Sequence, residues 1–92
     1  MHIRITRSHF DPSRATEVRP FGPEVAAIVR RLPGCRHCSN GIAEAAGQTI
    51  TISIFDTAEQ ADFSREVFGD LLARFADLGL RFDPPEVYEE VG

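Results

Sequence analysis

Between Gln48 and Phe55 isoleucine occupies every second position, and Thr49, Thr51, Ser53 and Phe55 fill the places between. Successive strand side chains point to opposite faces of a sheet, so this stretch reads as a strand with one apolar and one mostly hydroxylated face. Residues 2–8 repeat the pattern, with Ile3 and Ile5 set against His2, Arg4, Thr6 and Ser8. Any fold for this chain must therefore build a sheet whose two faces differ. The isoleucine face is expected to lie under helices. The hydroxylated face is then either wet or closed against a second sheet.

The segments between these strands are helical. Asp11-Pro12-Ser13 signals a turn, and residues 14–21 leave room for a short helical turn. Pro20 and Pro23 prevent one long helix there. Gly22-Pro23-Glu24 starts a helix, Val25, Ile28, Val29 and Leu32 form one apolar stripe, and Pro33-Gly34 stops it. A strand is expected over 35–40 and a loop over 41–47. Thr57 and Gln60 form a capping box for a second helix, with Phe68, Leu71, Leu72 and Phe75 as its core stripe and Gly79 as its stop. Pro84-Pro85 delays a last strand to 86–91. The order is strand, helix, strand, strand, helix, strand. That order predicts an α+β, ferredoxin-like βαββαβ fold, a four-stranded antiparallel sheet with both helices on one face. Residues 1–92 are expected to form one domain, since 92 residues cannot supply two cores.

Charge narrows the function. Fourteen acidic residues oppose ten basic ones, all arginine, and the only adjacent basic pair is Arg30-Arg31. Nucleic-acid binding needs a basic stripe, which this distribution does not provide. No stretch approaches the roughly 18 apolar residues of a membrane span, and the first residues lack the apolar run of a signal peptide. A soluble cytoplasmic protein is expected.

The residues that could carry chemistry are few. Cys35-Arg36-His37-Cys38 has the spacing of a thiol pair, but strand residues three apart point to opposite faces, and one such pair supplies at most two of the four ligands of a structural zinc site. A metal role for Cys35 and Cys38 is therefore set below that of two small thiols. His37 is the candidate general base, since imidazole titrates near neutrality. Arg4 can hold a carboxylate or phenolate bidentately, or pair with an acid such as Glu86 or Glu90 of a partner subunit, which is the preferred reading. Phe63, Phe68 and Phe75 are core residues first and the wall of an aromatic pocket second. Tyr88 is expected at a dimer contact. No Gly-rich phosphate loop or Ser-His-Asp arrangement is present.

Three passages carry a family resemblance: Phe10-Asp11-Pro12-Ser13, Arg31-Leu32-Pro33-Gly34-Cys35, and the strand from Gly47 to Phe55 running into Asp56-Thr57-Ala58-Glu59-Gln60-Ala61. With this element order the chain resembles the dimeric α/β-barrel superfamily, nearest to its antibiotic biosynthesis monooxygenase-like branch. The resemblance implies a homodimer closed through the sheet face and a ligand pocket between sheet and helices. It also implies oxygenation of aromatic or polyketide-like substrates without a cofactor; the alternative is a non-catalytic dimeric ligand-binding or structural module. The Asn–Trp grouping of that family has no counterpart here, because the chain has no Trp, and Asn40 receives no role. The ligand-binding candidates are Arg4, Phe68 and Phe75. The oxygenase reading predicts a closed cavity of about 300 Å³ or more between helices and sheet.

Overall fold

The computed structural model describes residues 1–92. Its elements are β1 (His2–His9), α1 (Ala15–Val18), α2 (Phe21–Arg30), β2 (Cys35–Ala43), β3 (Gln48–Phe55), α3 (Ala58–Ala61), α4 (Leu71–Asp77), β4 (Arg81–Phe82) and β5 (Glu86–Glu89). Short 3-10 turns at Pro12–Arg14 and Arg65–Phe68 precede α1 and α4. The sheet is antiparallel and runs β2-β3-β1, with β4 and β5 end to end along the outer edge of β1. β4 pairs with Ser8 and His9, β5 with His2 to Ile5. They are one strand position split in two, because Pro84 and Pro85 have no N–H for the ladder. This is the ferredoxin-like order, with five strand segments in place of the expected four strands.

The expected faces are reversed. Arg4 and Ser8 are buried in β1, and Ser53 and Phe55 are buried in β3. Cross-strand partners are Arg4 with Ser53, Thr6 with Thr51 and Ser8 with Thr49, and these side chains lie under the helical layer. Ile3 faces Ile54 and Ile5 faces Ile52, on the side that carries no helix. Those isoleucines are only partly buried. Period-two alternation separates two faces but does not say which one the helices cover. Here Phe55, fully buried, marks the covered face, and it shares its parity with the hydroxyls.

Three further expectations change. β2 extends to Ala43 where a loop was expected from residue 41, because Gly41 and Ile42 continue the ladder against Ile50 and Thr49. The stretch read as one second helix is three pieces. α3 ends at Ala61, Ser64 caps the 3-10 turn through Glu66 N–H, and Gly69 at φ +52°, ψ −126° ends it. The capping box itself forms as expected, Thr57 accepting from Gln60 N–H and Gln60 from Thr57 N–H. α2 begins at Phe21, just ahead of the expected Gly22-Pro23 start.

The apolar core is divided. Ala26, Val29, Cys38, Phe55 and Ala61 form one cluster, Phe10, Ala15 and Val18 a second, and Phe21, Leu71 and Phe75 a third. The hydroxylated centre of the sheet lies beneath the helices between them. Gly47 ties the loop before β3 to the end of β1. Its carbonyl accepts from Phe10 N–H at 2.9 Å, its φ is +65°, and a Cβ there would stand 2.3 Å from the Phe10 carbonyl oxygen. Gly47→Ala is expected to lower stability by about 2 kcal/mol or more, since both the conformation and the backbone contact oppose a side chain. Urea unfolding measures this, and a loss below about 0.5 kcal/mol, the level of an ordinary surface change, contradicts it.

Candidate functional site

A half-open pocket of about 600 Å³ lies between the sheet and the helices. The volume exceeds that expected of the oxygenase reading and is within the range of small-molecule sites, but the pocket is half-open where a closed cavity was expected. Its floor is the hydroxylated sheet face: Thr6, Ser8, Thr49, Thr51 and Ser53. The floor is internally bonded. The Ser8 and Thr49 hydroxyls bond each other, and Thr51 Oγ1 donates to Asn40 Oδ1 at 2.6 Å. Asn40 Nδ2 in turn donates to the Gly22 carbonyl at 2.6 Å, tying β2 to the start of α2 at the pocket rim.

The wall is aromatic. Phe21, Phe63, Phe68, Phe75 and Phe82 all line the pocket. Their rings form one connected series. Phe55 meets Phe63 at 5.7 Å, Phe63 meets Phe68 at 6.1 Å, and Phe68 meets Phe75 at 6.2 Å. Phe75 then meets Phe21 at 5.0 Å and Phe82 at 5.4 Å. The Phe21 contact is edge-to-face, a geometry that favours aromatic pairs beyond the area they bury. The break in the second helix matters here. It turns Phe63, in the stretch after α3, and Phe68, at the end of the second 3-10 turn, toward the same space.

Arg4 stands where floor meets wall. It is 5% exposed, on the helix-facing side of β1, with its guanidinium carbon 3.9 Å from the Phe63 ring centroid. Its Nη1 donates to the Ala61 carbonyl at 2.9 Å. That carbonyl ends a four-residue helix and has no onward helical partner. Burial pulls the Arg4 pKa below its ordinary value, and the charge of Asp62 acts in the opposite direction. The expected pairing of Arg4 with an acid such as Glu86 of a partner is not what the structure supports. Glu86 lies on the other face, bonded to Arg7 and to the Tyr88 hydroxyl.

The three ligand-binding candidates Arg4, Phe68 and Phe75 thus converge on one pocket, and His37 does not. His37 stands opposite Ile54 on the uncovered side of the sheet, exposed, with Nε2 3.1 Å from the Ser39 hydroxyl. It cannot reach a ligand in the pocket. The thiols also differ from expectation. A bulge between Cys35 and His37 restores parity, so Cys35 and Cys38 face the same side, against Phe55 and Ser53 respectively. Cys38 is fully buried in the core, and burial, then the neighbouring Cys35, pushes its thiol up to about 11. No three metal-ligating side chains come together anywhere in the chain.

The floor hydroxyls and Asn40 are the site residues that sequence reasoning missed. The available signal was the parity of Phe55, a large ring in a set otherwise composed of hydroxyls, which had to be buried.

No protein-family model matches the chain, and no curated protein matches it by sequence. Solved structures do match over the whole chain. A candidate antibiotic biosynthesis monooxygenase from Deinococcus radiodurans superposes with a TM-score of 0.79 at 14% identity, over 100% of this chain and 94% of its own. HapK from Hahella chejuensis gives 0.75 at 17% identity, over 100% and 94%. SnoaB from Streptomyces nogalater, a cofactor-independent oxygenase, gives 0.62 at 12% identity, over 99% and 93%. The chain therefore has the fold of the antibiotic biosynthesis monooxygenase-like proteins. No helix is long and apolar enough to cross a membrane.

A thiol with a pKa of about 11 is one part in about 10,000 thiolate at pH 7, and thiolate is the reacting form. Cys38 in the folded protein is therefore expected to resist iodoacetamide at pH 7 and to react once the chain is unfolded in urea. The unfolded thiol ionises near pH 8.5, so ionisation of Cys38 favours the unfolded chain as pH rises from about 8.5 through about 11. Rapid modification of Cys38 in the native state, read by mass spectrometry, contradicts this placement.

Proposed function

We propose that the chain is a small-molecule-binding protein of the cofactor-independent monooxygenase kind, acting on aromatic, polyketide-like compounds in the cytoplasm. The observation that carries this reading is the pocket of about 600 Å³ with a phenylalanine wall and a hydroxylated floor. A flat aromatic ligand matches the wall in shape and apolarity, and its oxygen substituents match the floor. An activated aromatic that has lost a ring proton reacts with O₂. The carbanion of a ring CH₂ adds O₂ to form a hydroperoxide; loss of the second C–H proton with cleavage of the O–O bond leaves one oxygen on that carbon as a ketone and releases the other, with the two protons, as water. The chain's part is to hold the aromatic rings against the phenylalanine wall and to offer the fixed dipoles of the hydroxylated floor to the substrate oxygens. Asp83, at the rim, is the single carboxylate that lines the pocket.

The second reading is a dimeric ligand-binding module without catalysis. It is favoured by the same lining, which brings no histidine and one carboxylate to the ligand. Both readings share a homodimer, which we propose forms through the uncovered sheet face. Ile3, Ile5, Ile50, Ile52 and Ile54 form a contiguous apolar surface there, with Tyr88 opposite Ile3 at its edge. A chain that buries only 15 of its 92 residues gains stability by covering that surface with a second copy.

Two measurements test these statements. A hydroxylated anthrone is expected to be consumed with one O₂ per molecule, well above its autoxidation rate, in an oxygen electrode with purified, cofactor-free protein. Tight binding without oxygen uptake selects the second reading. Ile52→Glu places a charge at the centre of the isoleucine face and is expected to convert a dimer into a monomer in light scattering at micromolar concentration. A wild-type monomer under those conditions overturns the dimer.

A further inference from the structure

The pocket is positively charged in an acidic protein. Of the chain's ten arginines, Arg4, Arg19, Arg30 and Arg65 line it, against one of fourteen acids, Asp83. Arg19 is neutralised by Glu44. The other three have no carboxylate partner; outside the pocket Arg7, Arg14, Arg36 and Arg74 each have one, and Arg31 and Arg81 have none. Arg30 donates to the Cys38 carbonyl at 2.9 Å, and Arg65 lies over the Phe82 ring at 5.3 Å. Arg4 is the buried member, with one hydrogen bond, to the Ala61 carbonyl, and one aromatic face beneath it.

A guanidinium has five N–H donors and no way to neutralise itself under ordinary conditions. Taking that charge out of water is costly unless a counter-charge meets it. One backbone carbonyl and one ring leave most of the Arg4 donor set unused, and the side chain borders the cavity. Asp62, the residue after Ala61, acts on its charge without forming an ion pair. The missing counter-charge fits a planar anion in the pocket.

We propose that the pocket selects aromatic ligands carrying an anionic oxygen group, a carboxylate, phenolate or enolate, and that Arg4 is the residue that holds it. The aromatic part lies against Phe63, Phe68 and Phe75, and the anionic edge turns toward β1. This rests on the aromatic-pocket reading above and adds the charge state and the recognition residue. Arg4 acts here as a binding and specificity residue.

The test compares 2-naphthoate with its neutral isostere 2-naphthamide by calorimetry on the intact wild-type protein. Naphthoate is expected to bind at least about tenfold more tightly, the ratio supplied by one charge-assisted hydrogen bond. Arg4→Gln is expected to erase the preference while keeping naphthamide binding, and Arg65→Gln to preserve it. If Arg4→Gln does not fold, the Arg4 Nε–H resonance of the wild-type protein is followed during the naphthoate titration, and it is expected to move more than the other arginine resonances. Equal affinity for the two probes overturns the inference. So does a preference that survives Arg4→Gln or disappears in Arg65→Gln. Failure of both probes to bind removes the aromatic-pocket reading itself, whereas anion-selective binding without oxygen uptake removes only the oxygenase step.

Discussion

Everything functional in this molecule depends on the pleat of two paired strands. In β1 and β3 the register sets Arg4 beside Ser53, Thr6 beside Thr51 and Ser8 beside Thr49, and Ile3 beside Ile54. Alternation then sends Arg4, Thr6, Ser8, Thr49, Thr51 and Ser53 to one face and every isoleucine to the other. A slip of one residue would exchange the two faces completely. It would fill the space under the helices with isoleucine and leave no polar floor. The pocket and the apolar outer surface are therefore two results of one register.

The helical layer over that floor is broken, and the breaks serve the pocket. A continuous second helix would align Phe68, Leu71, Leu72 and Phe75 along one stripe and pack them down as a solid core. The stop at Ala61, the cap at Ser64 and the turn at Gly69 instead spread the aromatic side chains around a space. The core divides into three small clusters at the margins of that space. Arg4 joins two of these features. It satisfies the last carbonyl of α3 and stacks on Phe63, so the residue that charges the pocket also fixes part of its wall.

Much of the architecture was legible in the sequence. The β1 and β3 alternation, the Thr57–Gln60 capping box, the Pro33-Gly34 stop and the start of the last strand after Pro84-Pro85 each have a local physical cause and appear where expected, whereas the short β4 ahead of those prolines was not foreseen. The assignment of faces was not local. Isoleucine at alternate positions is equally consistent with packing under a helix and with packing against another subunit, and hydroxyls suit either a wet face or a pocket floor. Only the burial of Phe55 separates the cases. His37 and the Cys35–Cys38 pair show the same limit from the other direction. A bulge between Cys35 and His37 set their facing, and no spacing rule reports a bulge. Arg4 was recognisable as a candidate anion ligand from its residue type. Its partner was not, because that depended on which face it occupied.

The most direct test of the face assignment uses methyl resonances of threonine and isoleucine in the wild-type protein during titration with 2-naphthoate. The account predicts that the methyls of Thr6, Thr49 and Thr51 shift with ligand while those of Ile50, Ile52 and Ile54 stay in place. Shifts confined to the isoleucines, with the threonines unmoved, would contradict it, because the ligand would then occupy the sheet face that carries no helices.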